Sequence, residues 1–262
     1  MSRVRDMVDA FALMTVVPVP DFGAHKPTSR LSAWFPWVGL FIGSVVLGLF
    51  VILNAASVAL GDGEFLTRAA WPLATLVVAI SAVLTRFLHW DGLADLGDAW
   101  WGGATKARRL QIMADSHVGA FGVATVVLVA VTQVACVSTL LTHGGFGIAL
   151  FAAPVFARMA ATFGSWLGTP ARPGGLGASV MGSPGVTEIA IATLGLGIAA
   201  AFMGYEHGVA GWVWSGCAFV VAAAVPHICA QRVGGVTGDV LGASVLVSET
   251  IVLFAAAMVV SW

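Results

Sequence analysis

Three aspartates follow the second long apolar segment at the spacing of one helical face. Asp91, Asp95 and Asp98 stand at i, i+4 and i+7 within HWDGLADLGDAWWGG, residues 89–103. On a helix this spacing aligns three carboxylates, which repel each other unless a cation lies between them. Asp115, in QIMADSHVGAFG, adds a fourth carboxylate. Oxygen ligands without neighbouring cysteines favour Mg²⁺ or Mn²⁺ over zinc or copper, so we predict that these four carboxylates bind Mg²⁺.

Basic residues lie between the two acidic patches. Arg108 and Arg109, with Lys106, separate Asp98 from Asp115. Carboxylates for a metal beside cations for a phosphate are the groups that a phosphoryl-transfer site needs, so both arginines are candidates for binding substrate phosphate.

Two histidines flank the acidic segment. His89 and His117 are each candidates for a base or a phosphate donor, and each is equally compatible with a structural hydrogen bond. The alternative for the whole segment is a solvated acidic loop. Helical spacing argues against that alternative, and so do the tryptophans, because tryptophan is enriched where a membrane meets water.

A glycine-rich turn leads into the last apolar segment. It contains Gly234, Gly235, Thr237, Gly238 and Asp239. Backbone N–H groups at a helix N-terminus bind phosphate oxygens, and Asp239 is a candidate metal ligand or general base. An ordinary connecting turn is the alternative, since no P-loop ending follows the glycines.

Two ionisable residues fall inside apolar segments. Arg158 and Glu249 are each costly at a helix centre, so each requires a partner. For Arg158 the sequence leaves open a substrate phosphate or an extension of the side chain to the membrane surface. Glu249 is predicted to pair within the bundle.

The elements that position these residues are membrane helices. Apolar residues make up 59% of the 262 residues and charged residues 10%, with a mean hydropathy of +0.95. A net charge of −1 gives no basic field for nucleic acid, which excludes that class of partner. The composition predicts an all-α, polytopic integral membrane bundle in which residues 1–262 form one domain in contact with the lipid bilayer.

We predict about seven membrane-spanning helices and an N-terminal helix that lies in the interface. The segment from Val8 to Val17 is too short to cross a membrane and ends in prolines. The predicted spans are 35–60, 66–88, 118–141, 146–168, 186–204, 208–230 and 241–261.

The cations predict the orientation of the chain. With the N-terminus in the cytoplasm, ten lysines and arginines fall on the inner side and only Arg68 falls outside. The predicted active site then lies on the cytoplasmic face of the cell (inner) membrane, in the loops 89–117, 169–185 and 231–241. The sequence leaves a homo-oligomer open.

The motifs together resemble the cobalamin synthase family, the adenosylcobinamide-GDP ribazoletransferases. They are TVVPVP, FPWVGLFIG, HWDGLADLGDAWWGG, RRLQIMADSHVGAFG and GGVTGDVLGA, which extend over nearly the whole chain. Ala99 and His117 depart from the family pattern, which has glycine and arginine there. The resemblance implies a transfer from adenosylcobinamide-GDP to α-ribazole or its 5'-phosphate, with release of GMP.

Two other functions share some of these sequence features. A CDP-alcohol phosphotransferase also places aspartates at helical spacing beside the membrane, but its D-G-x-x-A-R pattern is absent, because Asp95 follows Leu93 and Ala94. A transporter exposes its site to both sides of the membrane near the midplane, whereas the charges here are concentrated on one side.

Overall fold

The computed structural model describes residues 2–20, 22, 28–143, 147–172 and 174–260, and their regular structure is helical. One isolated bridge joins Pro170 to Val236. The helices are α1 (Ser2–Met14), α2 (Phe35–Ala59), α3 (Phe65–Arg68), α4 (Ala70–Leu84), α5 (Leu88–Gly102), α6 (Lys106–Ile112), α7 (Ala120–His143), α8 (Gly147–Leu167), α9 (Gly175–Val180), α10 (Val186–Val233) and α11 (Gly238–Val260), with a 3-10 turn over Ser29–Trp34 before α2.

The prediction of an all-α, multi-pass membrane protein is confirmed. Among the residues that the structure describes, five helical segments are long and apolar enough to cross a membrane, and α4 with α5 forms a sixth candidate that is bent by 94°. The predicted count of seven is not confirmed by length and composition. The five segments are Ser29–Ala59, Ala120–His143, Ile148–Leu167, Val186–Val233 and Gly238–Val260.

Helix α10 is broken at Gly208. Its 48 residues would extend about 72 Å at 1.5 Å per residue, more than twice the hydrocarbon core of a bilayer. Gly208 has φ 58° and ψ −133°, which is not helical. A Cβ at position 211 would overlap the carbonyl oxygen of Met203, so the chain folds back on itself here. The break falls on the first residue of the predicted span 208–230, just after the predicted span 186–204 ends.

The second predicted span, 66–88, is divided in the structure. Helix α4 ends at Leu84, and Arg86 and Phe87 follow in the left-handed region with φ of 52° and 56°. The N–H of Phe87 donates to the carbonyl of Ala82, which satisfies the end of α4 before α5 begins in a new direction.

Helix α1 is attached to this bend. The N–H of Val16 donates to the carbonyl of Leu84 at 2.8 Å, and the Arg86 guanidinium donates to the carbonyl of Ala12. Ala10 and Met14 are buried. The predicted N-terminal helix is therefore present, although it begins at Ser2 and ends at Met14, and one face of it packs on the bundle.

Helix α8 lies at the centre of the bundle. Residues 149–162 are buried without interruption, and α2, α10 and α11 all pack against them. Helix α2 approaches α8 through Gly39 and Gly43, where an added Cβ would lie 2.5 Å from the carbonyl oxygen of Pro154 and 2.2 Å from that of Phe151. Small residues four apart allow two membrane helices to pack backbone against backbone.

We expect Gly43→Ala to lower the free energy of unfolding by about 1–3 kcal/mol, because the added methyl group meets a backbone carbonyl that cannot move aside. Thermal unfolding of the detergent-solubilised protein, followed by size-exclusion chromatography, measures the change. Gly48→Ala is the matched control on the same helix, since no atom lies within 4 Å of its added Cβ. Equal melting temperatures for the two variants would contradict the packing described here.

Candidate functional site

A cavity of about 510 Å³ opens where α1, α5, α9 and α11 converge. Besides His89, four polar side chains, Asp91, Arg172, Thr237 and Asp239, share its wall with a larger set of apolar groups. The residues that complete the wall are His89, three glycines at positions 174, 177 and 238, Gly242, and the apolar Leu13, Met14, Phe35, Leu88, Met113, Ala161, Ala178, Val180, Val236, Leu241 and Val245.

Two glycines bring α5 and α11 into contact at this cavity. A Cβ at Gly92 would lie 2.8 Å from the carbonyl oxygen of Asp239, and a Cβ at Gly242 would lie 3.4 Å from the Cα of His89. The helices therefore run antiparallel here, with Asp239 beside residue 92 and Gly242 beside residue 89. This close approach places the carboxylates of Asp91 and Asp239 on one cavity wall.

Thr237 caps the N-terminus of α11. Its hydroxyl oxygen accepts from the N–H of Val240 at 3.1 Å, and the hydroxyl lies 3.3 Å from Oδ2 of Asp239, to which it donates. A helix N-terminus carries partial positive charge and free N–H groups. Gly238 and Asp239 present that end of α11 to the cavity, so it is suited to bind a phosphate.

The glycine pair before Thr237 shapes the turn. Gly234 and Gly235 have φ of 104° and 149°, a region that other residues avoid. Beyond them the N–H of Val236 donates to the carbonyl of Thr169 at 2.8 Å, which ties the turn to the loop before α9. Of the predicted phosphate-binding residues, Thr237 and Gly238 line the cavity, whereas Gly234 and Gly235 position them.

Arg172 is the arginine of the cavity wall, and it lies in the loop 169–185 that the sequence placed in the active site without assigning this arginine to a phosphate. It lies close enough to Asp239 for the two charges to attract each other. Its only signal in the sequence was its place in an inner loop beside Pro173 and two glycines.

The structure divides the four predicted metal ligands. Asp98 is buried, and its two oxygens accept from the N–H groups of Gly119 at 2.6 Å and Gly122 at 2.8 Å. Those N–H groups belong to the first turn of α7, which has no helical partners for them. Asp98 therefore acts as the cap of α7 in this structure.

Asp115 and His117 lie outside the cavity. Oδ1 of Asp115 accepts from the backbone N–H of His117 at 3.1 Å and lies 2.6 Å from Nδ1 of the same residue. The side-chain hydrogen bond of His117, followed by its backbone hydrogen bond, lowers the pKa of Asp115. The His117 side chain is 90% exposed, so the pair lies on the surface between α6 and α7.

The predicted four-carboxylate metal cluster is not assembled in this structure. Within the described ranges, no three His, Cys, Asp or Glu side chains form a group that could hold a metal ion. Asp91 is exposed on the cavity wall, and half-buried Asp95 is close enough to interact electrostatically with Asp239 and Asp91. This donor set suits Mg²⁺, which is bound by one or two carboxylates together with water and substrate phosphates.

The two predicted phosphate-binding arginines of α6 do not reach the cavity. Arg109 is buried, and its guanidinium donates to the carbonyl of Arg232 at 2.8 Å, so it joins α6 to the end of α10. Arg108 is exposed and lies 3.4 Å from Oε1 of Gln111 in its own helix. For Arg109 the prediction is corrected to a structural contact, because its side chain turns inward.

Arg158 binds a carboxylate of the protein instead of a substrate phosphate. Its guanidinium donates to Glu249 at 2.5 Å, and both side chains are buried. The sequence had left open a substrate phosphate or an extension of the side chain to the membrane surface. Neither alternative holds, since Arg158 is only 2% exposed and is not part of the cavity wall. Glu249 pairs within the bundle, as predicted.

His89 lines the cavity from the first turn of α5. The side chain is 2% exposed, and its Nε2 is buried without a hydrogen-bond partner. A buried polar atom without a partner is costly, and this atom is shielded from the open part of the cavity.

Comparison with known proteins gives a consistent result along the whole chain. The model of the cobalamin-5-phosphate synthase family matches residues 6–257. A protein of Frankia casuarinae named adenosylcobinamide-GDP ribazoletransferase is 33% identical over 96% of this chain and 94% of its own length. A protein with the same name from Syntrophobacter fumaroxidans is 37% identical over 86% of this chain and 85% of its own length. Another, from Rhizobium meliloti, is 31% identical over 99% of this chain and 100% of its own length. No solved structure matches.

The buried ion pair predicts how the protein responds to loss of each charge. Glu249→Leu leaves Arg158 charged and unpaired, and we expect it to lower the free energy of unfolding by about 3–5 kcal/mol. The double variant Arg158→Met with Glu249→Leu removes both charges and should recover most of that loss. Thermal unfolding in detergent measures both. A double variant as unstable as the single one would show that the two charges do not stabilise each other.

Proposed function

This chain belongs to the cobalamin-5-phosphate synthase family, and we infer that it is an adenosylcobinamide-GDP ribazoletransferase, a membrane transferase of cobalamin biosynthesis. The observation that supports a catalytic role for the cavity is the convergence of Asp91, Arg172 and the N-terminus of α11 on one wall. A helix N-terminus and an arginine bind the oxygens of a diphosphate directly, and a carboxylate contributes by holding Mg²⁺ against them.

In the proposed reaction, a ribose hydroxyl of α-ribazole or its 5'-phosphate attacks the phosphorus on the cobinamide side of the diphosphate. A new P–O bond forms to the ribose oxygen as the bond between this phosphorus and the bridging oxygen breaks. GMP leaves with the bridging oxygen and its electron pair, and the hydroxyl proton passes to a base. The product is adenosylcobalamin or its 5'-phosphate.

Arg172 and the N-terminus of α11 are the proposed diphosphate-binding groups. Gly238 leaves the backbone of α11 open to the cavity, and Thr237 holds the first turn in place. Charge accumulates on the departing GMP, and fixed donors that are already oriented stabilise it without rearrangement. The exposed Arg108 lies outside the cavity and remains a candidate only for attracting the anionic donor from solution.

Asp91 and Asp95 are the proposed ligands of Mg²⁺. When bound, Mg²⁺ would supply positive charge to the diphosphate oxygens. Asp239 is our candidate general base, because its Oδ2 faces the Thr237 hydroxyl and leaves Oδ1 to accept the proton of the ribose hydroxyl. Asp98 and Asp115, which the sequence placed in the same cluster, contribute the capping of α7 and a surface contact instead.

The volume of the cavity limits which parts of the substrates fit inside it. Its volume of about 510 Å³ accommodates a nucleoside with its phosphates. We propose that the corrin ring of the donor stays outside at the mouth. With the cations of the chain on the inner side, the mouth opens to the cytoplasm, and the protein resides in the cell (inner) membrane.

Asp91→Asn should lower kcat at least a hundredfold at fixed Mg²⁺, because it removes a charged ligand from the diphosphate site. Asp239→Asn should do the same through loss of the base. GMP release from adenosylcobinamide-GDP and α-ribazole by the purified protein measures both. Glu64→Gln, at the opposite end of α2 from Phe35, is the control and should keep wild-type activity. Full activity of Asp91→Asn would refute the metal assignment.

Arg172→Ala should lower kcat/KM for adenosylcobinamide-GDP about tenfold to a hundredfold, because the diphosphate loses its arginine. Arg172→Lys keeps the charge and should recover part of the loss. Initial rates at varied donor concentration provide the measurement, with Arg68→Ala beyond α2 as the matched control. If Arg172→Ala keeps the wild-type kcat/KM, as Arg68→Ala is expected to, Arg172 does not bind the donor.

A further inference from the structure

We propose that the protein has a second anion site, outside the cavity, at which Lys106 and Arg232 bind the phosphate of an anionic phospholipid. Arg109 lies beneath these two side chains and adds its charge to theirs. The lining of the cavity includes none of the three. The site therefore gives the protein a lipid ligand, and it does not depend on the proposed reaction.

One face of α6 brings the three cations together. Lys106 and Arg109 are three residues apart on this helix, so their side chains lie on the same face. The Cδ of Lys106 lies 3.1 Å from a Cβ built at Gly234, and the Arg109 guanidinium donates to the carbonyl of Arg232 at 2.8 Å. This face of α6 therefore packs against the C-terminal end of α10.

The Arg232 side chain extends from the last turn of α10 and lies over an aromatic ring. Its guanidinium carbon is 5.2 Å from the centroid of the Trp100 ring, a cation–π contact that orients the arginine and leaves its charge in place. Arg232 and Lys106 are both exposed, so each is open to a ligand at the surface.

The three cations have no carboxylate partner. Within the part of the chain that the structure describes, the ion pairs within 4 Å leave out Lys106, Arg109 and Arg232. Arg109 is only 8% exposed, and its Nε is buried without a hydrogen-bond partner. The C-terminus of α10 supplies about half a negative charge against these three positive charges. A buried guanidinium without a counter-charge is costly, so the cluster favours a bound anion.

The surroundings of the cluster favour a lipid over a soluble anion. A Cβ at Gly102 would lie 3.6 Å from Cδ1 of Ile112 and 3.9 Å from the ring of Phe121, so α6 packs beside the first turn of the apolar helix α7. Phe121 is 53% exposed and Trp101 is 66% exposed. Exposed tryptophan is typical of the headgroup level of a membrane, where basic pockets between helices bind anionic headgroups. A phospholipid presents its phosphate to the cations and its apolar part to these rings.

Arg108 provides a contrast within the same helix. It is exposed, as Lys106 is, but it lies 3.4 Å from Oε1 of Gln111 and close enough to Asp115 for the two charges to attract each other. Arg108 therefore has an acidic neighbour that the cluster lacks. Its neutralisation is the matched control for loss of a cation from the cluster.

Binding of two lipids to the full-length protein in detergent tests the site. Phosphatidylglycerol is anionic, phosphatidylcholine with the same acyl chains has no net charge, and native mass spectrometry gives the Kd of the first bound lipid. Each basic residue near an anionic headgroup contributes about fivefold in affinity. Wild type should therefore bind phosphatidylglycerol about 25-fold more tightly than phosphatidylcholine, through Lys106 and Arg232.

The variants separate the site from general surface charge. Lys106→Gln and Arg232→Gln should each weaken phosphatidylglycerol binding about fivefold, and the double variant should bind the two lipids within about twofold of each other. Arg232→Gln keeps the backbone carbonyl that Arg109 contacts, so the packing of α6 on α10 is retained. Arg108→Gln removes an equal charge and should keep the wild-type Kd within about twofold.

Equal affinity of wild type for the two lipids would refute the site without any variant. An equal loss in Arg108→Gln and Arg232→Gln would show an effect of overall charge and would refute it as well. Phosphatidylglycerol should also raise the melting temperature of wild type and leave that of the double variant unchanged. Inorganic phosphate alone should raise neither, and stabilisation of wild type by phosphate that the double variant loses would place a soluble anion at the cluster instead of a lipid.

Discussion

The burial of α8 on all sides is the constraint on which the other helices depend. A helix surrounded by α2, α10 and α11 has no lipid-facing side, and its short side chains allow neighbouring backbones to approach closely. Gly39 and Gly43 of α2 pack directly against the backbone of α8. The position of α11, and with it the N-terminus that faces the cavity, follows from packing against α8.

The ion pair between Arg158 and Glu249 joins α8 and α11 within the bundle. Neither charge is tolerated alone in hydrocarbon, so the pair restricts the register in which the two helices can pack. Asp98 has a comparable role at the membrane surface, where it satisfies the first N–H groups of α7. Both cases show carboxylates that secure the scaffold while Asp91 and Asp239 remain free to face the cavity.

The wall of the cavity combines polar and apolar groups, as ligand sites commonly do. The N-terminus of α11 brings polar groups to this wall, and the same helix supplies Val245 to it one or two turns later.

The sequence by itself determined that the chain is a bundle of membrane helices and that the segment carrying Asp91, Asp95 and Asp98 is helical, because hydropathy and helical spacing are local properties. Its motifs also indicated the family. Only the tertiary structure decided which charged side chains face the cavity. Asp91, Asp95 and Asp98 have equivalent spacing, but the N-terminus of α7 binds Asp98, and Glu249, 91 residues away in the chain, binds Arg158. Arg172 gained its position from the bridge between its loop and the turn before α11. These contacts join segments that are distant in the sequence. Which side chains meet therefore depends on how the helices pack, and the spacing of residues within one helix does not decide it.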